Sequence, residues 1–200
     1  MKKAILTLVC ALAALSAMAQ GTINFSNGTA GPPAVNAPIS DLNGTTLLSG
    51  AGFTAQLWAG PQGTAWDSLS AWTPTSPFGT GASAGYFFGG SVVVGNVPGG
   101  SVASFQVRVW NSSAFPTWAA AWTAYQAGNP TAHVGVSGWN GAIGTLPTTT
   151  LTSAALASGA VTPPSMAGLT SFQLHQAVPE PSVLALGAIG ALSFLLRRRK

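Results

Sequence analysis

Residues that break regular structure are never far apart in the interior of this chain. From Gln20 to Ala177, Gly, Pro, Ser, Thr and Asn interrupt the sequence at short intervals, and the apolar and aromatic runs between them last four to nine residues. Buried helices need longer runs, whereas strands are built from runs of about four to eight residues. The rhythm therefore predicts an all-β fold rather than a helical or βαβ one, a single β-sandwich of jelly-roll-like form. Ser101–Trp110 is the clearest strand: Phe105, Val107 and Val109 point one way, Gln106, Arg108 and Trp110 the other. Pro98-Gly99-Gly100 is a turn before it, and Tyr86–Val94, interrupted at Gly89-Gly90, reads as its hairpin partner. Thr22–Phe25 is expected to be the first strand. Phe53–Ala59 is another, stopped by Gly60-Pro61-Gln62-Gly63. Leu169–His175 is expected to be the last, with Phe172 and Leu174 inward.

One segment departs from the β pattern. Pro116–Ala127 carries Trp118, Trp122 and Tyr125 at i, i+4 and i+7, with alanines between them, a proline near its start and Gly128-Asn129-Pro130 to stop it. This predicts one short helix capping an edge or end of the sandwich, the alternative being an alanine-rich strand. Asn27–Gly50 and Pro61–Gly85 read as long loops. Leu146–Pro164 is rich in Thr, Ser and Ala, with a strand around Thr149–Leu151.

Charge is confined to the ends. The chain has a net charge of +4 from 7 Lys and Arg against 3 Asp and Glu, yet Lys2, Lys3, Arg197, Arg198, Arg199 and Lys200 hold all the cations but one. Between Gln20 and Ala177 only Asp41, Asp67 and Arg108 are charged, leaving −1. Nucleic acid needs clustered Lys and Arg along its phosphates, so it is excluded as a partner. The one cysteine, Cys10, lies outside this body, which rules out a disulfide scaffold, a thiolate metal site or a cysteine nucleophile within it. A body of this length buries a sufficient core without such staples.

Both ends read as addresses. Lys2-Lys3, the apolar run Ala4–Leu15 and Ser16-Ala17-Met18-Ala19 make a signal peptide over residues 1–19. Ala17 and Ala19 form its A-x-A site, signal peptidase is the partner, and Gln20 becomes the mature N-terminus. Val9 before Cys10 is too large for a lipoprotein site. The alternative is an N-terminal membrane anchor. Residues 178–200 contain Val178-Pro179-Glu180-Pro181-Ser182, then the uncharged apolar run 183–196, then Arg197-Arg198-Arg199-Lys200. As a helix, 183–196 would be roughly 21 Å long at about 1.5 Å per residue. A hydrocarbon core of about 30 Å wants about 20 apolar residues. The segment is a marginal span, extended by cations that snorkel to the headgroups and favour the cytoplasmic side. A tail anchor is one reading of it.

Taken together, Val178-Pro179-Glu180-Pro181-Ser182, the apolar helix and the arginine cluster resemble the PEP-CTERM sorting signal of Gram-negative bacteria that secrete exopolysaccharide. The resemblance implies handling by exosortase, a membrane protease-transpeptidase, with recognition of Pro179-Glu180-Pro181 and cleavage at or near it. Three stretches of the body, Phe53–Pro61, Phe105–Trp110 and Gly168–Phe172, are similar to uncharacterised exported domains of PEP-CTERM proteins from Verrucomicrobia-like bacteria. That likeness implies a shared exported domain and no mechanism.

Little in the body points to catalysis. Gly81-Ala82-Ser83-Ala84-Gly85 matches G-x-S-x-G, but that nucleophile needs a strand before it, a helix after it, and a later acid and histidine. The only later acid is Glu180. Asp41 and Asp67 would be the carboxylate pair of a glycosidase, and each equally suits a turn. His133 and His175 lack a third metal ligand and read as strand-surface histidines. A calcium site at either aspartate has no motif behind it. Neither metal nor cofactor is expected. Arg108 is expected to stack on an aromatic ring or pair with an aspartate. Asn24, Asn27, Asn43 and Asn111 each begin an N-x-[ST] pattern, read here as coincidence.

The tryptophans are the one positive hint. All seven (Trp58, Trp66, Trp72, Trp110, Trp118, Trp122, Trp139) lie in the body. Exposed rings stack on pyranose faces, and Trp66, Trp72 and Trp110 are the candidates for that role; the alternative is that they fill the core. The expectation is an exported, non-enzymatic surface or exopolysaccharide-matrix protein, membrane-associated through 183–196 before processing. A carbohydrate-binding module is the alternative, and a secreted glycosidase or esterase a remote one.

Overall fold

The computed structural model describes residues 20–30, 33–139, 148–150, 152–153 and 162–177. The signal peptide read over 1–19 and the tail 178–200, with its apolar helix, lie outside them. In chain order the elements are β1 (Gln20–Ser26), β2 (Gly28–Thr29), β3 (Val35–Asn36), β4 (Thr54–Pro61), β5 (Ser70–Pro77), β6 (Phe88–Pro98), β7 (Val102–Trp110), α1 (Trp118–Gln126), β8 (His133–Val136), β9 (Thr148–Thr150), β10 (Thr152–Ser153) and β11 (His175–Gln176). The all-β expectation holds, with its one short helix. A smaller sheet runs β10-β1-β6 and a larger one β11-β8-β7-β4-β5, with β9 also on β7 and β2–β3 as a separate ribbon.

β7 organises the molecule. Its pleat sends Ala103, Phe105, Val107 and Val109 into a core shared with Ile23 and Phe25 of β1, Val92 and Val94 of β6, and Ala55, Leu57 and Ala59 of β4. The opposite face carries Trp110, packed with Trp118 and Ala121 of α1 and Val134 and Val136 of β8. Every residue from Ala103 to Trp110 is buried for that reason. The helix accordingly lies on the outer face of the larger sheet, against β7 and β8, and not at an edge or end.

Three expectations need correction. β6 is not the hairpin partner of β7. The Ser101 N–H does turn back to the Pro98 carbonyl at 3.1 Å, but β6 crosses to the smaller sheet and pairs with β1. Both edges of β7 are already taken, one by β4 along the strand and the other by β8 and β9. Crossing also lets Val92, Val94 and Val97 close the core. Secondly, the two long loops are largely built structure: Asn27–Gly50 holds β2, β3 and the buried Val35, Ala37, Ile39 and Leu48, and Pro61–Gly85 holds β5. Thirdly, the last strand is shorter than expected. Leu174 is buried and Phe172 packs on the core, yet before β11 only Gln173 pairs, in a single parallel bridge to Ser40. The strand expected around Thr149–Leu151 is found as β9; Leu151 lies outside the described residues.

Candidate functional site

Alternation along β7 puts Gln106 and Arg108 beneath the helix. Arg108 is 5% exposed. Its guanidinium carbon stands 3.7 Å over the Trp58 ring, with Trp118 at 5.4 Å and Trp66 at 5.8 Å. Nε donates to Gln106 Oε1 at 2.7 Å, and a terminal nitrogen donates to the Trp66 carbonyl at 2.6 Å. Burial draws its pKa down to about 10, against the opposing pull of Asp67, so it stays charged at neutral pH. Cation–π attraction of this kind strengthens when the cation is desolvated. Of the two expected fates of Arg108, stacking on a ring is the one found; Asp67 acts on it electrostatically, with no ion pair between them among the described residues. Gln106 Nε2 and Trp58 Nε1 beside it are buried without a protein partner.

From this clamp a run of rings crosses the sheet face. Trp110 meets Trp118 edge-on at 6.3 Å, Trp118 stacks on Trp122 at 5.4 Å, and Trp122 stacks on Tyr125 at 5.5 Å. The i, i+4, i+7 spacing on α1 produces that stack, since such positions share a helix face. Trp139, just beyond β8, meets Trp122 and Tyr125 edge-on at 5.9 and 5.7 Å and lies 4.4 Å from the His175 ring.

The run ends at a cleft of about 500 Å³, lined by Trp139, His175, Phe172, Gln173, Ser171 and Ser40 among others. Backbone bonds fix its walls: the Ser40 N–H donates to the Phe172 carbonyl at 3.1 Å, and the Leu174 N–H to the Ser40 carbonyl at 3.0 Å. Gly44 adopts φ +71°, and a Cβ there would come within 2.6 Å of Gln173 Oε1. The left-handed backbone is what favours glycine there, since the Gln173 side chain can move aside. No Asp, Glu, Lys or Arg lines the cleft. Burial holds the His175 pKa below its usual 6.5, so its imidazole is neutral at pH 7. Nearby, Asp41 Oδ1 lies 3.8 Å from His133 Nδ1.

The residues singled out from sequence land in separate places. Trp110 is 3% exposed, because α1 covers the face expected to be open, and its Nε1 donates to the Phe115 carbonyl at 2.9 Å. It therefore offers no face to a sugar. Trp66 stands in a 3-10 turn, half-buried and edge-on to Trp122 at 6.5 Å. Trp72 belongs to β5 and not to a loop; it packs on the main core and donates to the Ala59 carbonyl at 3.2 Å. All seven tryptophans are buried or half-buried. Ser83 ends a 3-10 turn, Gly81–Ser83, with no strand-to-helix elbow around it. Asp41 sits by His133 and Asp67 by Arg108. Among the described residues no three His, Cys, Asp or Glu side chains gather as metal ligands. Asn27 and Asn111 are buried with their amides engaged. Gln20 opens β1 and Ala177 is 7% exposed; Ala17, Ala19 and residues 178–200 lie outside the described residues.

Sequence reasoning passed over Trp139 and His175 as site residues. The available signal was Gly138-Trp139 directly after a strand, where a bulky ring is placed on a turn at the sheet's end.

Family comparison speaks to the tail. Residues 177–200 match the family model described as the PEP-CTERM protein-sorting motif. The chain carries a PEP-CTERM signal. Such a signal marks an exported protein sorted by exosortase, and Val178–Ser182 and Arg197–Lys200 both fall within the matched span. Comparison with curated proteins and with solved structures gives no match. Among the described residues no helix is long and apolar enough to cross a membrane.

Proposed function

We propose that this PEP-CTERM chain is a non-catalytic protein of the cell surface or exopolysaccharide matrix. Signal peptidase removes residues 1–19, the 183–196 segment holds the protein in the membrane with Arg197–Lys200 at the cytoplasmic face, and exosortase acts at Pro179-Glu180-Pro181. The match over 177–200 carries this reading. The body supports it: its one arginine is buried and its only other charged residues are two aspartates, which leaves a nearly uncharged exterior, suited to a hydrated neutral matrix. Intact mass measured on membrane and matrix fractions of the native host tests it. The expected species starts at Gln20 and ends near Pro179–Pro181, alone or with an added group. A species still ending at Lys200 would make the tail a permanent anchor and overturn the processing step.

A second reading, a carbohydrate-binding module, draws its support from the uncharged aromatic cleft at Trp139 rather than from Trp66, Trp72 and Trp110.

A further inference from the structure

We infer that the cleft between Trp139, Phe172 and the Ser40–Gly44 turn binds a neutral glycan, with Trp139 as its principal ring. The inference rests on the carbohydrate-binding reading and gives it a site. Four observations converge. The lining pairs two half-buried rings, Trp139 and Phe172, with hydroxyl, amide and imidazole groups from Ser40, Ser171, Gln173 and His175. Sugars present that same duality, apolar C–H faces and a rim of hydroxyls. No formal charge lines the cleft, which disfavours phosphorylated or acidic ligands, because their burial requires a paired cation. The volume of about 500 Å³ falls within the range of small-molecule sites, about 300–1,000 Å³. Finally, the ring is set before any ligand arrives: Trp122, Tyr125 and His175 all pack against Trp139, and the Ser40–Gln173 bridge ties two other lining segments together. Preorganisation of this kind lowers the ordering cost of binding.

The experiment uses the purified full-length chain in detergent, titrated with neutral cello-, manno- and galacto-oligosaccharides and with acidic oligogalacturonate as comparison. Calorimetry and tryptophan fluorescence read binding. At least one neutral oligosaccharide is expected to bind, and Trp139→Ala to weaken it about tenfold or more, while Trp66→Ala and Trp72→Ala leave it unchanged. Because Trp139 also packs against α1, Ser171→Tyr and Gln173→Ala probe the same cleft from exposed positions. Ser171→Tyr is expected to block binding with the fold intact by circular dichroism. Binding lost in Trp66→Ala or Trp72→Ala but kept in Ser171→Tyr would overturn the cleft and leave the glycan reading standing. Binding of oligogalacturonate alone would overturn the neutral ligand, and silence across all the oligosaccharides would overturn both.

Discussion

Asn27 ties the segments around Ala37, Gly85 and Phe87 to the end of β1. Its Nδ2 donates to the carbonyls of Ala37 and Gly85 at 2.8 Å each, and its Oδ1 accepts from the Phe87 N–H at 2.7 Å. It is fully buried. Asn27→Ala would strand the buried Ala37 carbonyl and Phe87 N–H, each costing about 1–3 kcal/mol, while the Gly85 carbonyl keeps the Ile39 N–H. We expect a loss of about 2 kcal/mol or more in urea unfolding. Sequence reading saw only the N-x-[ST] pattern at Asn27, because a partner some sixty residues away leaves no local trace. His175 makes a second residue-scale prediction. Its native pKa lies below 6.5 because burial disfavours the charged ring. Between the native and unfolded pKa values only the unfolded chain takes the proton, so stability falls as pH drops below about 6.5 and levels off once the native ring is protonated. The urea midpoint should be lower at pH 5 than at pH 7.5, and His175→Asn should reduce that difference.

Elements were legible where their period was written in apolar residues. The helix was, since Trp118, Trp122 and Tyr125 mark one face and Thr117 stands at its start. The Thr117 side chain accepts from the Ala120 N–H at 3.2 Å. Thr117→Ala should cost about 1 kcal/mol and lower Tm by about 2–4 °C, and Thr117→Ser should restore most of it. β5 was not legible. Its sequence, Ser-Ala-Trp-Thr-Pro-Thr-Ser-Pro, is an edge strand paired only with β4 and largely exposed, so it needs no alternation to signal it. The partner of β6 was hidden for another reason: the turn before β7 looks the same whether the chain folds back within one sheet or crosses to the other. Which edge is free is a property of the assembled sheet. The cleft is the extreme case, drawing its walls from the Ser40–Gly44 turn, the end of β8 and the approach to β11.

At the scale of the molecule, the larger sheet is covered on both faces, by the smaller sheet on one side and by α1 with its rings on the other. Sequence reading foresaw the all-β class and one outer strand face, but the covering of that face depends on how α1 docks. One consequence concerns proteolysis. Between Lys3 and Arg197 the only lysine or arginine is Arg108, and it lies buried under Trp58 in the most enclosed strand. An enzyme that cuts after cations, such as trypsin, therefore has one bond to find in the body, Arg108–Val109, and can reach it only when β7 leaves the sheet. Native protein should resist trypsin and, in rising urea, yield two body fragments at a rate that follows the open population. Outside the cell, such enzymes would cut this body only where it had already come apart.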